Sequence, residues 1–170
     1  MYTLELIKNT DVETPPFFYL QQFYEFEFSS ITNSEINDQG LFDYKALQSS
    51  WNNGKYEPYL FKMNKKLPVG FAIVNLNSQI DGDANTRDIA EFFIMPNHRK
   101  KGVGKMMATQ IFNLYKTKWE VRQLFNAENS RVFWLNVIKQ YTNNNFNEKS
   151  ITNHSLPMYV QQFASNNYGK

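Results

Sequence analysis

The stretch between Ile89 and Phe125 leaves this chain few ways to fold. A β-prone run, Ile-Ala-Glu-Phe-Phe-Ile-Met (89–95), stops at Pro96 and passes through Asn-His-Arg-Lys-Lys-Gly-Val-Gly (97–104). Val103, Met107, Ile111 and Leu114 then recur at helical spacing, and Trp-Glu-Val-Arg-Gln-Leu-Phe (119–125) is β-prone again. Strand, basic turn, helix and strand within one short stretch require a sheet with a helix laid on it, which excludes all-helical and all-β architectures.

The flanks extend the same alternation. Tyr2 to Ile7 reads as a first strand. Thr14 caps a helix with Pro15 at its first position, and Phe17, Leu20, Tyr24 and Phe28 form its apolar stripe, which ends near Ser-Ser-Ile-Thr-Asn-Ser-Glu (29–35). Asp43 to Trp51 suits a second, short helix before the turn residues Asn-Asn-Gly-Lys (52–55). Tyr-Leu-Phe-Lys-Met (59–63) and Pro-Val-Gly-Phe-Ala-Ile-Val-Asn-Leu-Asn (68–77) read as a hairpin joined by Asn-Lys-Lys-Leu (64–67), and Asn77–Arg87 is a polar loop. Trp134, Val137, Ile138 and Tyr141 mark a last helix. Phe146–Ile151 and Pro157–Phe163 close the chain as two strands, leaving 163–170 as a loose tail.

Composition narrows the functional classes. The chain has 170 residues, 42% hydrophobic, enough for one substantial core, so residues 1–170 are expected to form a single domain. A net charge of +2 gives no global attraction to nucleic acid or an anionic membrane, so any electrostatic function is local. There is no cysteine, which removes disulfides, thiolate metal sites and a cysteine nucleophile. The two histidines, His98 and His154, lack a spaced carboxylate cluster, so no metal is expected. The N-terminus lacks the pattern of a secretory signal and no apolar run approaches a bilayer span, which makes a soluble cytoplasmic protein the expectation. The 15 Phe and 10 Tyr fall mostly on predicted apolar faces and are read as core rather than as base-stacking platforms.

The turn at 97–104 carries the chemistry. A helix beginning near Gly104 offers backbone N–H groups that have no partner within the helix, and such donors attract phosphate. Gly102 and Gly104 let an anion approach without a Cβ in the way, and Arg99, Lys100, Lys101 and Lys105 add positive charge around it. The spacing matches neither a dinucleotide-binding glycine fingerprint nor a Walker A loop.

Arg99–Gly104, Arg-Lys-Lys-Gly-Val-Gly, resembles the Arg/Gln-x-x-Gly-x-Gly/Ala motif of the GCN5-related N-acetyltransferases, and the element order resembles that fold over roughly the whole chain. The resemblance implies an α/β (α+β) fold with a mixed, mostly antiparallel sheet of about seven strands and about four helices, splayed between strands 4 and 5. It implies acetyl-coenzyme A as co-substrate, its pyrophosphate held by Arg99, Lys100, Lys101, Gly102, Val103, Gly104 and Lys105. Its pantetheine arm would lie against the strand at Phe92, Phe93 and Ile94. Asn126–Thr142 resembles the fourth-helix region in two registers. One aligns Phe133 and Trp134 with the family's aromatic pair and puts Ser130 at the small position. The other takes Asn129 as the asparagine near pantetheine and puts Asn136 where many members carry a tyrosine acid.

The implied chemistry is attack of a neutral amine on the thioester carbonyl. An alkylammonium has a pKa near 10.4, so the amine must first lose a proton to a carboxylate or through water. Asp88, at a position resembling the family's glutamate base, and Glu91, three residues later and expected on the opposite face, are the candidate bases. The alternative for each is structural: Asp88 in the solvated loop, Glu91 paired with a cation. The acceptor is an amine of a small molecule or a peptide. A homodimer is favoured if the last strand, Leu156–Phe163, forms a sheet edge. The competing function is a non-catalytic acyl-coenzyme A sensor, or a small nucleic-acid binder using His98–Lys105.

Overall fold

The computed structural model describes residues 3–8, 15–43, 54–153 and 156–169. The element order is β1 (Leu4–Lys8), α1 (Pro15–Thr32), β2 (Tyr56–Met63), β3 (Leu67–Asn75), β4 (Thr86–Ile94), a 3-10 turn (Pro96–His98), α2 (Val103–Leu114), β5 (Lys118–Leu124), α3 (Glu128–Thr142), β6 (Asn147–Asn153) and β7 (Leu156–Ala164). The seven strands form one mixed sheet in the order β1-β2-β3-β4-β5-β7-β6. β4 and β5 run parallel, while β1–β2, β5–β7 and β6–β7 are antiparallel. Three α-helices lie within the described residues; the helix expected over Asp43–Trp51 and the Thr14 cap lie outside them, apart from Asp43 itself.

Two compact units divide the chain, Met1–Ile73 with Glu91–Arg99, and Val74–Ala90 with Lys100–Lys170. In the first, α1 buries Phe17, Leu20 and Tyr24, part of the predicted stripe. Phe17, Tyr24 and Phe93 surround Phe71, with ring centroids 5.2, 5.6 and 5.8 Å from it. The β2–β3 connection turns through Asn64 and Lys65, both at positive φ, and closes with the Lys66 N–H on Met63 O at 3.1 Å. Asn tolerates that conformation at modest cost; Lys65 adopts it without a local side-chain reason.

In the second unit Phe112 of α2 is the hub. Trp119, Trp134, Tyr141 and Phe163 lie within 4.9–6.2 Å of its ring, so one fully buried aromatic joins α2, β5, α3 and β7. The predicted α3 stripe, Trp134, Val137, Ile138 and Tyr141, is buried. The chain end is tighter than its polar composition suggests: Ser165 N–H donates to Thr117 O at 2.9 Å and Asn166 Nδ2 to Tyr141 O at 3.0 Å.

One expectation is overturned. β7 pairs with β5 on one side and β6 on the other, so it is an interior strand of the sheet and not an edge. Its inward position follows from the buried apolar residues Val160 and Phe163 and from the β6–β7 hairpin, which turns the polar strand β6 to the outside.

Candidate active site

The parallel pairing of β4 and β5 stops short of the ends of both strands. Their parallel register runs from Thr86↔Lys118 to Ile89↔Val121 and ends there, although β4 continues to Ile94 and β5 to Leu124. This is the splay of the sheet, and Phe92, Phe93 and Ile94 lie on the continuing part of β4. Phe93 is buried against Phe71 and Tyr24, which fixes the backbone around it.

Past Ile94 the chain folds back through the 3-10 turn, with the His98 N–H on Met95 O at 2.9 Å and the Arg99 N–H on Pro96 O at 3.1 Å. Arg99 is clamped within the first unit. Its Nε donates to Ile94 O at 2.7 Å, one terminal nitrogen donates to both carboxylate oxygens of Glu27 at 2.8 Å, and its Cζ lies 5.5 Å from the Phe93 ring centroid.

In the second unit Lys100 has φ 58° and Gly102 φ 79°, so the chain passes twice through the left-handed region before α2 begins. Gly102 is the N-cap and supplies no side-chain cap. The first α2 bond is from Met106 N–H to Gly102 O at 3.1 Å, which leaves the N–H groups of Val103, Gly104 and Lys105 without intrahelical acceptors. A Cβ on Gly102 would meet nothing within 4 Å; glycine is required there for its backbone conformation alone. Lys100 and Lys101 are exposed, and Lys105 donates to Gln140 Oε1 at 2.6 Å.

The two candidate bases sit in different surroundings. Asp88 lies in β4, not in the polar loop, is fully buried, and has both oxygens held by Arg122, from Nε and a terminal nitrogen at 2.8 Å each. Burial pushes its carboxyl above the usual range, and the Arg122 bonds and charge pull it back. Glu91 is partly exposed and accepts a hydrogen bond from the Tyr24 hydroxyl. Asn129 is in the exposed first turn of α3 and Asn136 is exposed further along the same helix.

Sequence reasoning misses several residues that the fold brings in. Tyr24 is legible only as core, Glu27 only as a surface charge, and Arg122 and Glu120 only as parts of a strand. A charged pair two residues apart inside a β-prone run, Glu120 and Arg122, is the available signal, since a charge on a buried strand needs a partner. Among the described residues no three His, Asp or Glu side chains gather as a metal site, and no helix is long and apolar enough to cross a membrane.

Comparison with known proteins agrees with this fold. Solved structures sharing the fold include an acetyltransferase from Thermus thermophilus, with a TM-score of 0.67, 14% identity, and coverage of 95% of this chain and 97% of that one. Another is the ribosomal-protein-S18-alanine N-acetyltransferase of Escherichia coli, with a TM-score of 0.61, 11% identity, and coverage of 96% and 94%. A third is YncA of Salmonella typhimurium, determined with its cofactor acetyl-CoA, with a TM-score of 0.62, 11% identity, and coverage of 99% and 96%. A search of curated proteins gives no match. The profile of the Acetyltransferase (GNAT) family matches residues 17–137, well over half the sequence, and the chain belongs to that family.

Proposed function

We propose that the protein is an N-acetyltransferase that moves the acetyl group of acetyl-coenzyme A directly to a primary amine within a ternary complex. The observation that carries this reading is the uncapped start of α2: three N–H donors without intrahelical acceptors, preceded by a glycine in the left-handed region and the exposed Lys100 and Lys101. That arrangement fits a pyrophosphate, with Gly102, Val103, Gly104 and Lys105 supplying backbone donors. Arg99 and Lys105 already have side-chain partners in the free protein, so their share is the shaping of the loop more than free charge. Phe92, Phe93 and Ile94 are the strand residues available to a pantetheine arm, and the family resemblance adds Asn129 of α3.

The reaction needs placement more than chemistry from the protein. The amine nitrogen attacks the thioester carbonyl carbon, the C–S bond breaks, and the thiolate leaves and takes a proton, giving an amide and free coenzyme A. Holding the two reactants together is worth up to about 7–11 kcal/mol of the barrier. Backbone N–H groups steady the oxyanion that forms on the way. Of the two carboxylates, Glu91 is the better proton acceptor, because it is partly exposed while Asp88 is enclosed with both oxygens on Arg122. The acceptor is a primary amine on a small molecule or a peptide, and the cytoplasm, where acetyl-coenzyme A is made and used, is the compartment this reading implies.

The test is release of free thiol when the protein is incubated with acetyl-coenzyme A and a pooled library of amines and peptides. Amine-dependent thiol release is the expected result. Tight coenzyme binding with no transfer to any amine would leave a sensor, and salt-sensitive retardation of nucleic acid without coenzyme binding would leave a phosphate-backbone binder.

A further inference from the structure

Among the described residues, Gln123 is the one side chain with both of its polar atoms buried and without a hydrogen-bond partner. It is 4% exposed. Gln123 is opposite Tyr159 in the β5–β7 register, and Val121, two residues earlier on the same face, is opposite Gln161. Gln161 is fully buried and donates through Nε2 to Glu148 Oε2 at 2.6 Å, while its Oε1 has no partner. Arg131 completes the neighbourhood: a terminal nitrogen donates to Glu148 Oε1 at 2.7 Å, its guanidinium lies 3.9 Å from the Tyr159 ring centroid, and its Nε is unpartnered.

The cluster therefore closes on Glu148 and leaves Gln123 out. Native interiors pair nearly all buried polar atoms, so a side chain with neither atom satisfied is waiting for something. Its place on β5 says where that something comes from. Val121 is the last β5 residue paired with β4, and Gln123 is the next residue on that face, the first beyond the end of the β4–β5 register. A primary carboxamide offers one acceptor and two donors in a plane, which complements a secondary amide with its single N–H and single C=O.

We propose that Gln123 is a positioning residue for the acyl donor, its amide kept unpaired so that it can pair with an amide of the pantetheine arm, with Gln161 Oε1 as a neighbouring acceptor. This rests on the coenzyme reading above. It differs from that reading in the part of the coenzyme concerned, the arm and not the phosphates.

Gln123→Leu and Gln123→Met keep the volume and remove the amide. Binding of coenzyme A is compared by calorimetry with binding of 3′-phosphoadenosine 5′-diphosphate, which carries the phosphates and lacks the arm, alongside the melting temperature of the free proteins. The expected result is about tenfold weaker coenzyme A binding in both variants, unchanged affinity for the armless nucleotide, and an unchanged or higher melting temperature. Unaltered coenzyme A affinity in either variant overturns the proposal, and so does a melting temperature several degrees lower in both, which would assign the amide to a buried water that holds the fold together. Failure of the wild-type protein to bind coenzyme A at all would remove the parent reading, and is seen separately.

Discussion

Asp88 and Glu120 stand opposite one another in the parallel β4–β5 register, two fully buried carboxylates on adjacent strands. Arg122 satisfies both oxygens of Asp88, while Glu120 accepts from Ser78 Oγ at 3.0 Å and from the Gln79 N–H. Burial, and less strongly the nearby Asp88 charge, push Glu120 above the usual carboxylate range against the opposing Gln79 and Ser78 bonds. A carboxyl whose pKa is raised on folding binds more protons in the native state, so its contribution to stability falls as pH rises through the window between the unfolded and folded values. Glu120→Gln should therefore flatten the pH dependence of stability from the ordinary carboxylate range, near 4, upward. Urea midpoints of the two proteins at pH 5 and pH 8 check this; an equal change in both would mean Glu120 does not titrate differently on folding. The comparison is between proteins because Glu148 acts in the other sense. Its burial raises it, but the Arg131 and Gln161 bonds outweigh that and hold it low.

The Asp88–Arg122 pair should show the asymmetry of enclosed ion pairs. Asp88→Asn takes the charged partner from both bonds of a guanidinium whose side chain is only 16% exposed, at an expected cost of about 3 kcal/mol. The double variant Asp88→Leu with Arg122→Met should lose less than the sum of its single changes. Additive losses in a denaturant double-mutant cycle would show the two side chains to be uncoupled.

If the turn at 99–105 holds phosphates as proposed, acetyl-coenzyme A and free coenzyme A, which share them, should raise the melting temperature by similar amounts. Gly104→Glu places a carboxylate in the first turn of α2, among the N–H donors, and should abolish the shift. Gly102→Ala should keep the shift but lower the stability of the free protein by about 1 kcal/mol, the cost of a Cβ in the left-handed region. A full ligand shift in Gly104→Glu would take the coenzyme away from this loop.

Glu91→Gln should lower kcat on the order of a hundredfold while coenzyme affinity stays the same, since Glu91 holds no phosphate. Tyr24→Phe removes the hydroxyl bonded to Glu91 and should reduce kcat by a smaller factor, with little effect on the KM for acetyl-coenzyme A. Wild-type turnover in Glu91→Gln across pH 6 to 9 would mean that water takes the proton and that positioning suffices. Parallel measurement of Asp88→Asn separates a catalytic loss from a folding defect, because that variant is expected to be unstable rather than selectively slow.

The elements are legible in the sequence because each carries its own period. The α1 stripe from Phe17 to Tyr24, the Asn64–Lys65 turn and the strand-to-helix junction at Pro96 are local signals and reappear within a few residues. What the sequence does not convey is pairing between distant residues. Asp88 admits a structural reading as the end of a polar loop beside its reading as a base, because its neighbours Asn85 and Arg87 are polar, yet it belongs to β4, where Arg122, 34 positions away, makes its burial tolerable. The position of β7 is hidden for a related reason. Strand order depends on which neighbour each strand finds, and Pro157 signals only the start of a strand. The turn at 99–105 is the most legible part of the candidate site because glycine conformation and helix-end donors are properties of one contiguous segment, whereas Gln123 reveals itself only by what it lacks.

The clamp on Arg99 bears on the rate at which a ligand arrives. With its guanidinium on Ile94 O and Glu27 and lying beside the Phe93 ring, the turn from Pro96 to Arg99 is tied back to β4 and α1 in the free protein. A loop that had to order on contact would add a conformational step to every encounter and slow the capture of ligand. Here the turn is set beforehand, so on the proposed coenzyme reading capture of the anion should be a matter of diffusion and of local charge. Added salt should slow association, and at high ligand concentration the observed rate should keep rising linearly, without the plateau that a preceding isomerisation would impose.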